Sequence, residues 1–94
     1  MAASFAWFLV VRAEVFKEAP TFFEILEARN ELADVDDVPA ADAEGAADAA
    51  RDRLTTAAGP PMRLYVATQG GHAVWLVVYD GDENDEKATV SRVH

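Results

Sequence analysis

The chain contains no cysteine, which excludes disulfides and any thiolate metal centre. Lysine is nearly as scarce, with Lys17 and Lys87 alone. Basic residues number 8 against 17 acids, for a net charge of -9. A surface of that sign repels phosphate backbones and anionic membranes. It argues against direct nucleic-acid or membrane binding and in favour of a larger protein partner with a basic surface. Long apolar runs are missing too: nothing approaches the ~18 residues of a membrane span. The apolar stretch Phe5–Val11 is too short and has no basic region before it, so it does not read as a signal peptide and a cytoplasmic setting is expected.

Chemistry-bearing motifs are equally thin. Histidine occurs only as His72, at a strand start, and His94. No serine lies in a G-x-S-x-G turn, and Gly70-Gly71 lacks the lysine and following helix of a phosphate loop. Asp80, Asp82 and Asn84 match the first ligand positions of an EF-hand, but Asp85 stands where glycine is required and Ser91 where the bidentate glutamate belongs. The segment Asp80–Glu86 therefore reads as a solvated turn between strands. No cofactor, metal site or catalytic residue is expected, and an enzyme is the minor reading.

What is present is pattern. Ninety-four residues make one domain, 1–94. Ser4–Arg12 is rich in aromatic and β-branched residues and reads as a strand apolar on both faces. Thr21 with Glu24 has capping-box spacing, and the helix it starts should run from Phe22 to Ala33. Asp34–Ala41, polar and holding Pro39, reads as a connection. A second helix, Asp42–Ala57, carries a thin stripe of alanines, weakened by Gly45 and stopped by Gly59-Pro60-Pro61. Met62–Thr68 and His72–Asp80 read as a hairpin around Gln69-Gly70-Gly71, and Lys87–Val93 as a short edge strand. A three-residue loop would gather Met62, Leu64, Val66, Val74, Leu76 and Val78 on one face and Tyr65, Trp75, Val77 and Tyr79 on the other. A two-residue turn would instead oppose Tyr65 and Leu76; the first sorts the residues better and is the expected register. The expectation is an α+β two-layer sandwich, an antiparallel sheet of three to four strands with two helices on one face, in the order β-α-α-β-β-(β).

Two helices cannot cover both sides of such a sheet, so an aromatic face with Trp75 and Tyr79 should stay open for an interface. Glu24, Glu27 and Glu31 fall on one face of the first helix, and Glu44, Asp48 and Asp52 on one face of the second. Laid side by side, the helices would present a broad negative surface. These eight residues are the expected partner-binding set. The size and charge resemble, in composition only, anti-CRISPR proteins, nucleic-acid mimics and immunity proteins, which implies a non-enzymatic module occupying a basic, nucleic-acid-binding surface of a partner. A second expectation is a homodimer paired through the sheet, binding a small molecule or acting as a small enzyme, with Arg63, Tyr65 and His72 lining a pocket on the aromatic face. A third is a phage structural or assembly subunit. The residue usage suits a GC-rich bacterial, phage or haloarchaeal genome, and in a salt-loving host surface acid is a solvation device.

Overall fold

The computed structural model describes residues 5–31, 33–55, 59, 61–81 and 87–94. Five strands form one antiparallel sheet: β1 (Ala6–Arg12), β2 (Val35–Ala40), β3 (Arg63–Thr68), β4 (Val74–Asp80) and β5 (Lys87–Arg92), in the spatial order β2-β1-β3-β4-β5. A 3-10 turn, Ala13–Val15, follows β1. Helix α1 spans Phe22–Asn30 and helix α2 spans Ala43–Arg51. The architecture is α+β, as the sequence implies, with one strand more than expected.

The extra strand is β2, which arises from the segment read as a connection. Its sequence, VDDVPA, looks like a loop because an edge strand tolerates proline and charge on its outer side. Alternation of side chains across the pleat gives its two adjacent aspartates opposite duties. Asp36 pairs with Arg53, just beyond α2, at 3.0 Å. Asp37 pairs with Arg29 of α1 at 2.8 Å.

That arrangement requires the helices to lie on opposite faces, and they do. Alanines 43, 46, 47 and 50 of α2, with Leu54, pack on Phe8, Val10, Leu64, Val66, Val77 and Tyr79. Phe22 and Ile25 of α1 pack on Leu9, Val11, Tyr65, Ala67 and Val74. The expectation of both helices on one face is thus corrected. The physical reason lies in the central strands: β1, β3 and β4 are apolar on both sides, and each side must be covered. Between the helices the chain makes the edge strand β2 and so changes sides.

The hairpin register is also corrected. Tyr65 pairs with Leu76 and Leu64 with Val77, the register of the two-residue turn. With a helix over each face, segregating aromatic from aliphatic side chains gains nothing, so the turn decides. Thr68 N–H donates to the Ala73 carbonyl at 2.9 Å, and Thr68 Oγ1 accepts from Ala73 N–H at 3.1 Å. The left-handed residue is His72, at φ 57°.

Caps follow the sequence closely. Thr21 Oγ1 accepts from Glu24 N–H at 3.2 Å, and Thr21 N–H donates to the Glu24 carboxylate at 3.1 Å. Asp42 caps α2 through Gly45 N–H at 2.7 Å. A Cβ on Gly45 would sit 3.1 Å from that Asp42 oxygen, so the glycine in the first turn keeps the cap unstrained. Both helices are shorter than expected. The expected helix end at Ala57, the Pro60 stop and the acidic turn at Asp82–Glu86 lie outside the described residues. Asp80 Oδ1 accepts from Gly81 N–H at 2.9 Å, as turn chemistry predicts.

Candidate functional site

The expected site residues divide between the two sides of the sheet. Glu24, Glu27 and Glu31 ride on α1, with Glu31 as its C-cap. Glu44, Asp48 and Asp52 ride on α2, with Asp52 as its C-cap. The two rows do not merge into one surface, because the sheet stands between them.

On the α2 side the expected anchors serve the fold. Tyr79 is 4% exposed. Its hydroxyl donates to Asp48 Oδ1 at 2.6 Å, and the Arg51 guanidinium lies 3.9 Å above its ring. Burial first, and then the hydrogen bond and charge of Asp48, raise the Tyr79 phenol well above its ordinary value. Trp75 is half-buried beside Phe8, at 6.2 Å between ring centroids, and under the Arg92 guanidinium at 5.5 Å. So α2 covers the aromatic face expected to be open, and Asp48 is committed to Tyr79. The alternative pocket set does not converge either. Tyr65 is buried on the α1 side, edge-on to Phe16 at 6.2 Å. Arg63 and His72 lie at opposite ends of the β3–β4 hairpin.

The α1 side is where exposed rings and acids meet. Trp7 shares its face of β1 with Leu9 and Val11, by strand alternation, yet is 56% exposed, while Leu9 and Val11 are packed under Phe22 and Ile25 of α1. The Trp7 carbonyl accepts from Gln69 N–H at 3.1 Å, which fixes Trp7 beside the hairpin turn. Across that turn His72 stacks on Phe22, with centroids 4.3 Å apart, and meets Phe23 edge-on at 5.0 Å. Phe23 is itself 62% exposed, and Phe5, ahead of β1, is exposed too. One helical turn on from Phe23 stands Glu27, four residues away and on the same side. Glu24, Glu27 and Glu31 then border a shallow groove of about 340 Å³ whose other wall is Val15 and Phe16. The groove sets carboxylates against the apolar side chains of Val15, Phe16, Ala28 and Ala33, with the exposed Phe23 ring one turn back along α1. Such a surface suits cationic side chains with apolar stems.

Trp7, Phe5 and Phe23 were the residues missed by the sequence reading. The signal was available: β1 begins its aromatic run before α1 can reach it, and the helix opens on a Phe22-Phe23 pair of which a single amphipathic face buries only one. Among the described residues, no group of three or more histidines or carboxylates is placed to hold a metal ion, and no helix is long and apolar enough to cross a membrane. No family model, curated protein or solved structure matches the chain.

Proposed function

We propose that the protein is a small, acidic, non-enzymatic binding module that docks on a basic surface of a larger protein through its α1 side. The supporting observation is the adjacency of the exposed Trp7–Phe23–His72 rim to the Glu24, Glu27 and Glu31 row. Rigid aromatic anchors flanked by charge are the composition of binding hot spots, and the carboxylates match a cationic partner. A basic groove that normally accepts nucleic acid is the most concrete partner surface, since carboxylates about 6 Å apart along a helix resemble the spacing of strand phosphates. In this reading the α2 acids contribute long-range field rather than contacts.

The test is capture from an extract of the encoding organism with four baits: wild type, W7A/F23A, E24Q/E27Q/E31Q and E44Q/D52N. Glutamine at position 24 preserves the capping box, and circular dichroism checks the fold of each. The expected result is a basic protein held by wild type and by E44Q/D52N and lost from the other two. Equal capture by all four baits, or loss only with E44Q/D52N, overturns the proposal.

A further inference from the structure

The sheet has two edges, and they are treated differently. The β2 edge carries Pro39 and two aspartates tied to Arg29 and Arg53, devices that discourage strand pairing. The β5 edge, KATVSR, carries neither proline nor carboxylate, and its charges, Lys87 and Arg92, stand at its two ends. Its residues are mostly exposed, Val90 40% so.

Hydrogen-bond parity shows what β5 offers. Val93 N–H donates to the Val74 carbonyl at 2.8 Å, and Leu76 pairs with Ser91 and Val78 with Thr89 in the same ladder. In an antiparallel ladder alternate residues point inward, so 87, 89, 91 and 93 face β4. The backbone N–H and C=O groups of Ala88, Val90 and Arg92 therefore face outward.

We infer that this edge pairs with the same edge of a second copy, antiparallel about a two-fold axis at Val90. The register is self-selecting. Only pairings between outward-facing residues make hydrogen bonds, and centring them uses all three: Val90 opposite its own copy, and Ala88 opposite Arg92 in both directions. Thr89 then faces Ser91 across the axis on the α1 side of the sheet. Lys87 meets Val93 and Arg92 meets Ala88, so no cation directly opposes another. The two exposed Val90 side chains cover each other, and the contact is isologous and closed. It joins two five-stranded sheets into one. The α1 surface, which lies over β1, β2 and β3, stays free and is doubled, so the pairing stands apart from the binding proposal. An edge contact of this length belongs below about 1,200 Å² of buried surface, the size of weak, reversible complexes. Each copy carries -9, so salt screening strengthens the dimer.

Sedimentation across a concentration series, at low and high salt, reads the association. Wild type is expected to dimerise reversibly and more tightly at higher salt. V90K, which sets like charges on the axis, and V90P, which removes an outward N–H without breaking the β4 ladder, should each weaken it at least tenfold while keeping the native circular dichroism. Because the chain has no cysteine, register is read by oxidation: a mixture of T89C and S91C should give a disulfide heterodimer, and T89C alone should not. A wild type that stays monomeric into the millimolar range, a dimer indifferent to V90K and V90P, or crosslinking of T89C with itself overturns the inference. So does an edge that binds an acidic extended peptide more tightly than its own copy.

Discussion

Tyr79 illustrates how a residue that looks like an anchor becomes a strut. Its ring lies beneath Arg51 and its hydroxyl reaches Asp48 across the α2–sheet boundary. Replacing it with phenylalanine keeps the packing and removes the hydrogen bond. The expected cost is about 1 kcal/mol, read as a lower denaturant midpoint at unchanged slope. The raised phenol pKa adds a pH signature. An unfolded tyrosine loses its proton near its ordinary value of about 10, whereas the folded Tyr79 keeps its own. The folded state then holds the extra proton, so this contribution to stability is complete below about pH 10 and declines as pH rises further. Unfolding titrations of wild type and Y79F should converge in stability on going from pH 8 to pH 11. Parallel curves would show that the hydroxyl is not held as described. Sequence could identify Tyr79 as a strand residue with a polar tip, but not the carboxylate it meets 31 positions away.

At the scale of elements, α2 is a close-packed alanine face and β2 is a two-sided tether. Ala46, Ala47 and Ala50 are fully buried, so the helix backbone approaches the sheet with no room for larger groups. Leucine at position 47 should cost about 1–3 kcal/mol by overpacking, while leucine at the exposed position 49 should cost little; calorimetric melting separates the two. The Asp36 and Asp37 pairs are partly exposed and each is worth about 0.2–1 kcal/mol. D36N should loosen α2 and D37N should loosen α1, read as faster amide exchange in the one helix and not in the other. Here the limits of sequence reading have a definite cause. The start of α1 was legible because Thr21 and Glu24 have capping-box spacing; α2 was placed one residue early, at Asp42, which is its N-cap. Strand β2 was not legible, because DVDDVPA owes its extended form to pairing with β1 rather than to its own propensity. Both helices were placed on one face because two were counted too few to cover both sides of the sheet. The apolar pattern of β1, read correctly as two-sided, already required a cover for each side.

For the whole molecule, charge and shape divide the labour. The α+β class and strands β1, β3, β4 and β5 were legible from periodicity, and the acidity that frames the binding proposal from composition; strand β2 and the helix ends were not. The site was only half legible. The α1 acids stand together as spacing dictates, but the exposed rings on their side of the sheet are Trp7 and Phe23, with His72 against Phe23, whereas Tyr79 is buried and Trp75 half-buried on the other. Which rings stay exposed depends on where each helix ends over the sheet, a long-range property that no local pattern encodes. If the acids steer a basic partner, association should slow by about tenfold or more between 20 mM and 150 mM salt with dissociation little changed. Stopped-flow mixing, followed by Trp7 fluorescence, measures this, and E27Q/E31Q should flatten the dependence.

The central claim is that the α1 side is the docking face, and hydrogen-exchange mapping of the captured complex tests it most directly. The account predicts added protection over residues 22–31 and around the 69–72 turn, with α2 unchanged. Protection confined to α2 would contradict it.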